Sequence, residues 1–444
     1  MKEPVRGPSS GSSPVTKGRV NALLQWTWLG ALVGCAAGLA SAVFLRLLAV
    51  ATAFREQHEV IVYALPVAGL LIGTIYERWG SRIKGGNNLI IDTIHENSAQ
   101  IPLRMAPMVL VGTVLTHLFG GSAGREGTAV QMGASIADQI AHRFRVRPET
   151  RRQLLAAGMA GGFGAVFGTP IAGTLFGLEV VCVGKIEYDA LAPALIAALV
   201  GDFVTRHVGV VHTVYPTAPY VELTPGVLGR LVIVGAAMAL STVAFIELTH
   251  RLKHLLEQWR IRLALRMFLG GCVVVALWKI VGTSDYLGLG VPTIVRAFSD
   301  PHLASYAFVL KIVFTSVTLA SGFLGGEVTP LFFVGATLGN VLARLLGLPL
   351  ALGAGVGIAA AFGAAANTPV ALSVMAVELL GASILPHVVI VCVVAYLLSG
   401  HRSIYPAQRI FRRKHGGRSL TEPVPLREFD DSLTPPSSHV EGTT

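Results

Sequence analysis

Charge is scarce in this chain. Only 14% of its 444 residues are charged, where a soluble globular domain carries about 25%. So few charges cannot cover an ordinary water-exposed surface, and the common soluble classes are excluded. Cysteine is scarcer still. Cys35, Cys182, Cys272 and Cys392 each fall inside an apolar run, none at the spacing of a metal site, and all four read as packing residues. The thirteen histidines show no ligand spacing either, so neither a metal nor any other cofactor is expected. No nucleophile or metal motif accompanies the acidic residues, which argues against an enzyme. A cleavable signal peptide is not visible. The opening "MKEPVRGPSSGSSPVTKGR" is polar and rich in Gly, Ser and Pro, as a disordered tail would be.

What is abundant is apolar side chains, at 52%, and glycine, at 50 residues. The mean hydropathy is +0.63. Apolar runs lie near 23–52, 59–77, 104–120, 153–182, 188–208, 226–249, 264–282, 306–320, 330–346, 352–380 and 383–399. They predict an all-α polytopic protein in contact with a lipid bilayer. Glycine is what lets membrane helices approach closely. The net charge of +10 is gathered between the runs: Arg143, Arg145, Arg147, Arg151 and Arg152, then Arg251 to Arg266, then Arg402 to Arg418. A basic chain can bind nucleic acid, but blocks placed this way fit cytoplasmic loops, and no nucleic-acid partner is expected. Lys17 and Arg19 precede the first run, and Arg412, Arg413 and Lys414 follow the last. Both termini are therefore expected in the cytoplasm, with the chain in the inner cell membrane.

An internal repeat about 200 residues long is the strongest signal. "GMAGGFGAVFGTPIAGTLFGLE" (158–179) aligns with "GIAAAFGAAANTPVALSVMAVE" (357–378), matching Gly158, Phe163, Gly164, Thr169, Pro170 and Glu179 to Gly357, Phe362, Gly363, Thr368, Pro369 and Glu378. Upstream of each block a Gly-x-Glu-x-Thr element recurs: Gly124, Glu126 and Thr128, then Gly325, Glu327 and Thr329. Duplicated halves with Gly/Pro-interrupted segments point to a transporter with its site between the repeats. Each Glu element opens an apolar run, so each is expected at the start of a broken helix, where unpaired N–H groups attract anions. The expected organisation is a tail over 1–20, a transport domain over 21–415 with halves 21–210 and 225–415, and a second disordered tail over 416–444, too short for a further soluble domain.

A carboxylate inside a membrane costs at least ~2.5–3.5 kcal/mol unless paired, hydrated or protonated. Glu126 could fill an anion site when ionised and leave it when protonated, serving as gate and proton carrier. The plainer alternative, for Glu126 and more so for Glu327, is a carboxylate that simply satisfies a helix start. Glu179 and Glu378 close their segments and are expected to bond neighbouring backbone. Arg125 is expected to pair with a carboxylate or carbonyl inside the protein.

These motifs resemble those of the CLC family of anion channels and anion/proton antiporters. "GREGT" (124–128) is similar to that family's GREGP, "GGEVTP" (325–330) stands where GGIFxP is usual, and "GHRSIYP" (400–406) resembles the segment with the pore tyrosine, here Tyr405. The departures are specific. Thr128 replaces proline. Glu327, Val328 and Thr329 replace the usual residues, Val328 in the place of a phenylalanine. "KGGNNLIID" (84–92) replaces the serine motif, so that Asn87, or its neighbour Asn88, stands in for the ion-coordinating serine. Val180 follows Glu179, where the chloride exchangers carry their internal proton-transfer glutamate. This set is similar to the fluoride/proton antiporter branch. The resemblance implies a CLC-type fold of two inverted-topology repeats, a homodimer with one pore per subunit, and fluoride export in exchange for protons. Glu126 would be the gating glutamate. Glu327, Asn87, Asn88, Arg125, Gly127, Thr128, Val328, Thr329 and Tyr405 would line the ion site. A chloride/proton exchanger or passive chloride channel of the same family is the alternative.

Overall fold

The computed structural model describes residues 14–97, 100–416 and 422–429, with side chains from residue 23 onward. The first half contains α1 (Pro14–Gln57), α2 (Leu65–Trp79), α3 (Asn87–Glu96), α4 (Met105–Leu118), α5 (Glu126–Arg143), α6 (Pro148–Phe167), α7 (Pro170–Glu179) and α8 (Leu191–His207). The second contains α9 (Pro225–Gln258), α10 (Leu263–Val281), α11 (Val291–Arg296), α12 (Ala307–Ala320), α13 (Val328–Leu346), α14 (Leu350–Ala366), α15 (Pro369–Leu380) and α16 (Leu385–Leu398). Two-residue strands β1 (Cys182–Val183), β2 (Arg409–Ile410) and β3 (Val424–Pro425) form a small sheet, β1 parallel to β2 and β2 antiparallel to β3, and short 3-10 turns complete the described elements.

The long runs 153–182 and 352–380 are each two helices, as their Gly/Pro interruptions suggest. Gly168 and Asn367 cap α6 and α14 in the left-handed conformation, at φ 74° and 58°, and Pro170 and Pro369 restart the chain at the first residue of α7 and α15. A left-handed cap ends a helix, and a proline at the first helical position starts one. The repeated "GTP" and "NTP" are therefore a stop and a start.

Glu179, at the last residue of α7, accepts from the Val370 and Ala371 amides at the start of α15, at 3.2 and 2.8 Å. Glu378, near the end of α15, accepts from Ile171 and Ala172 at the start of α7, at 3.0 and 2.8 Å. Each carboxylate thus caps the other repeat's helix and stands at the end of its own. Only an antiparallel pair permits this, and it places the pseudo-two-fold axis between the halves. Within each half the helices meet on glycine. A Cβ on Gly133 of α5 would lie 2.2 Å from the Gly158 carbonyl of α6, and one on Gly335 of α13 would lie 2.1 Å from that of Gly357 on α14. No side chain fits there, which is how the backbones come so close.

Three expectations differ in detail. Helix α1 already begins at Pro14, inside the tail assigned to 1–20; residues 1–13 lie outside the described residues. Of the tail expected over 416–444, residues 422–429 contribute β3 to the sheet, because Val424, Pro425 and Leu426 have an apolar and hydrogen-bonding surface to meet; 417–421 and 430–444 lie outside the described residues. Arg151 is not a solvated loop cation. It is 8% exposed and grips Asp138 through Nε and Nη2 at 2.6 and 3.2 Å, joining the first turn of α6 to α5.

Six described helical stretches are long and apolar enough to cross a bilayer, among them Leu23–Gln57 and Pro225–Gln258. Large apolar side chains at Leu39, Val43, Leu47, Val50 and Phe54 form an exposed stripe down α1, at the i+3 and i+4 spacings of one helix face.

Candidate functional site

The two Gly-x-Glu-x-Thr elements meet. The Gly124 amide donates to the Gly326 carbonyl at 2.6 Å, and the Gly326 amide returns a bond to Gly124 at 2.9 Å, a single antiparallel bridge between the repeats. A Cβ on Gly124 would fall 2.9 Å from the Gly326 oxygen, and one on Gly326 would fall 2.9 Å from the Gly127 nitrogen. Glycine is required at this crossing. Immediately beyond it α5 starts at Glu126 and α13 at Val328, with Glu327 as its N-cap. Both glutamate elements are helix starts, and the two starts lie side by side.

Glu126 is 1% exposed. Its carboxylate lies across the start of the other repeat's helix. The Thr329 amide donates to Oε2 at 3.1 Å, and the Thr329 hydroxyl lies 2.7 Å from Oε1 and 2.6 Å from Oε2. The Arg125 amide donates to Oε2 at 3.1 Å, and Arg125 Nε stands 3.4 Å from Oε1. The carboxylate that Arg125 was expected to find is thus its own neighbour. An anionic side chain occupies N–H and O–H donors at the positive end of α13, and those donors would serve a small inorganic anion equally well.

Helix α3 brings a third start to the same place. Asn87 is its first residue, after Gly86 at φ 55°. A Cβ on Gly127 would lie 3.2 Å from Asn87 Nδ2, so the Asn87 amide covers the start of α5, and its buried Oδ1 has no hydrogen-bond partner. Asn88 is placed differently. Its Oδ1 accepts from the Ala407 amide at 3.0 Å, tying α3 to the chain after Tyr405. The structure therefore separates the two asparagines: Asn87 faces the helix starts, and Asn88 holds the scaffold. Thr128 is also turned away, its hydroxyl 2.7 Å from that of Thr113 on α4, leaving its backbone on the α5 start. Val328, 1% exposed, is the first residue of α13.

Asn87, Asn88, Glu327 and Tyr405 line one cavity of about 470 Å³, together with Lys253 and Arg266. Those two cations belong to the basic block that the sequence assigned to a loop. Lys253 instead extends from the last turns of α9 and Arg266 from the first turn of α10. Their clustering with Glu257 and Lys84 gives the mouth a mostly positive lining, which attracts anions.

Tyr405 is buried and held by its neighbours. The Ser403 hydroxyl accepts from its amide at 2.9 Å. Gln408, with no exposure, donates to the carbonyls of Val180 and Ala366 at 2.7 Å each and accepts from Asn367 and Ser403. It joins the ends of α7 and α14 to the tyrosine segment. Sequence reasoning missed this residue, since a lone Gln in a basic stretch carries no signal. It also missed Lys311, fully buried on α12, whose Nζ donates to the carbonyls of Tyr286 and Gly288 at 3.2 and 2.7 Å and lies 5.3 Å from the Phe333 ring centre. A lysine inside an apolar run was the available sign.

A family model described as "Voltage gated chloride channel" matches residues 68–400. This chain belongs to the voltage-gated chloride channel family. Within the family, it is 48% identical over 413 residues to a Pseudomonas syringae pv. tomato protein named "Chloride/fluoride channel protein", covering 92% of this chain and 91% of that one. It is 26% identical over 397 residues to an uncharacterised protein of Methanocaldococcus jannaschii, covering 87% of this chain and 96% of that one. Its fold superposes with a TM-score of 0.85 and 38% identity on a solved structure described as "Crystal structure of a CLC-type fluoride/proton antiporter", covering 90% of this chain and all of that one. A slow cyanobacterial Cl⁻/H⁺ antiporter, at 18% identity and a TM-score of 0.74 over 84% of this chain and 94% of its own, shares the fold. The voltage-gated chloride channel family transports anions, and with six described helical stretches long and apolar enough to cross a bilayer this member is a multi-pass membrane protein.

Proposed function

We propose that this protein exports cytoplasmic fluoride in exchange for protons, with Glu126 as both gate and proton carrier. The observation that carries the proposal is the Glu126 carboxylate seated on the Thr329 amide and hydroxyl. An ionised glutamate fills the anion's place. A protonated one loses its charge and with it most of its acceptor strength, gains an O–H donor, releases the Thr329 donors to an anion, and takes a proton with it. The names of the 48% identical relative and the 38% identical structure support fluoride as the anion.

Fluoride is small and strongly hydrated, so removing its water demands strong, closely spaced donors. The Asn87 amide, the Thr329 hydroxyl, the Tyr405 hydroxyl and the N–H groups of Gly127, Thr128 and Val328 can supply them. Arg125 adds positive potential beside the Glu126 carboxylate, and Glu327 lines the cavity. Hydrofluoric acid is weak: it crosses membranes neutral and releases fluoride inside, and an inward proton gradient can drive that fluoride out. Both termini in the cytoplasm, an inner-membrane location and a homodimer belong to the same proposal. The relative's name supports a second reading, a passive channel open to chloride and fluoride.

Purified protein in liposomes, read with fluoride and chloride electrodes and a pH probe, separates the two. Fluoride efflux should far exceed chloride efflux, and a pH gradient should drive fluoride uphill. Glu126→Gln should abolish the uphill movement, since an amide cannot cycle a proton. If that variant still pumps fluoride against its gradient at the wild-type rate, Glu126 is only a helix-start carboxylate. Comparable chloride efflux by the wild type would favour the channel.

A further inference from the structure

The chain beyond Tyr405 returns to the helix that carries Asn87. Leu426 donates its amide to Gln408 O at 2.7 Å, and Arg427 donates its own to Pro406 O at 3.0 Å, so residues 422–429 lie directly along the backbone that follows Tyr405. The Arg427 side chain then crosses to α3 and grips Asp92 with two nitrogens, Nη1 to Oδ2 at 2.9 Å and Nη2 to Oδ1 at 3.3 Å. Arg409 reaches the same face, bonding Glu96 at 2.6 Å and standing 4.0 Å from Asp92.

Asn88, Asp92 and Glu96 are spaced by four and share one face of α3. All three hold the C-terminal segment: Asn88 through Ala407, Asp92 through Arg427 and Glu96 through Arg409. Asn87, the first residue of the same helix, lies against Gly127 at the start of α5. One short helix therefore has its leading residue at the ion site and a charged face clamped from behind. Tyr405 is one residue ahead of the strap's first anchor, Pro406.

We infer that residues 422–429 form a strap that sets the cytoplasmic mouth of the pathway, with Arg427 as a positioning residue acting through Asp92. The strap holds α3 and the Tyr405 segment at one spacing. The Asn87 amide and the Tyr405 hydroxyl, carried by those two pieces, thereby stand at a fixed separation suited to a small anion. Loosening the strap lets α3 move as a unit, widens the mouth, and weakens the hold on fluoride relative to a larger halide. The chemistry at Glu126 lies on other elements and is left intact. This inference rests on the transport reading of the site.

The test compares full-length wild-type protein with Arg427→Gln, Asp92→Asn, the double variant and Arg427→Lys in proteoliposomes. Each single neutral variant should raise the KM for fluoride about threefold or more and lower the fluoride-to-chloride ratio by a similar factor, with the maximal rate retained. The double variant should be no worse than either single one, and Arg427→Lys should recover much of the loss. A general loss of folding would instead lower the maximal rate and leave the ratio unchanged. Unchanged KM and ratio in Arg427→Gln would overturn the inference. If the wild type moves chloride and not fluoride, the fluoride assignment falls, and the KM for chloride becomes the readout on which the strap stands or falls. A second measurement needs no transport: the thiol of Asn87→Cys should react faster with a membrane-impermeant reagent once Arg427→Gln is added. Equal rates would also overturn the inference.

Discussion

Asn87 and Asn88 are adjacent and chemically identical, yet the fold gives them separate duties. Asn88 accepts the Ala407 amide, so removing it leaves a partly buried N–H unpaired, at a cost of about 1–3 kcal/mol. Asn87 bonds no scaffold group through its Oδ1 and covers the α5 start. Asn88→Ala should therefore lower the melting temperature in detergent and, by loosening α3 from the Tyr405 segment, lower the fluoride-to-chloride ratio by only about threefold. Asn87→Ser should keep stability and reduce that ratio by roughly tenfold, the equivalent of about 1.4 kcal/mol of lost donor strength. Efflux rates set beside thermal unfolding curves check both. Matching phenotypes for the two variants would mean that the site does not divide in this way.

Helices α7 and α15 show how a duplicated segment uses one residue type twice. A carboxylate at its own helix C-terminus is electrostatically misplaced. Glu179 and Glu378 avoid that penalty by capping the opposite helix, where two amides at each start would otherwise face a low-dielectric surrounding. Glu378→Ala leaves the Ile171 and Ala172 amides without the carboxylate and should destabilise the protein by about 1–3 kcal/mol, read as a lower melting temperature. Transport per folded molecule should be unchanged, since neither carboxylate touches the helix starts at Glu126 and Val328. A selective loss of transport with unaltered melting would show that the caps act on the pathway itself.

Across the whole molecule, the outer surface of α7 and α15 is unfinished. Ile171 and Val370 are 43% and 47% exposed beside the exposed Glu378, and farther along Leu385, Val389 and Val393 of α16 are exposed as well. An apolar surface with a carboxylate at its centre suits lipid poorly and suits a second copy of itself. The homodimer should appear as a two-chain species by mass photometry in detergent, and a cysteine replacing Val389 should cross-link between subunits. A monomer that transports at the full rate would remove the dimer from the proposal and leave the pore untouched.

Much of this was legible in the residues. Scarce charge and recurrent apolar runs settle a membrane-spanning all-α chain, because such a composition cannot cover a water-exposed surface. The repeated GTP and NTP blocks settle where the long runs break, because a left-handed cap and a proline restart are local backbone effects. Glu126 and Glu327 settle where α5 and α13 begin, for the same local reason. What they touch is another matter. That Glu126 sits on Thr329, 203 residues away, that Glu179 caps α15, that Gln408 ties three segments together, and that Arg427 clamps Asp92 are contacts between distant parts of the chain. The folding of the two halves onto each other, at Gly124 and Gly326 and again along α7 and α15, together with the return of the C-terminal segment to α3, brings them within bonding distance. Spacing along the chain governs which helix starts where. The packing of one repeat against its inverted copy decides which carboxylate fills which donors, since hydrogen bonds form between groups that are close in space, whatever their distance in sequence.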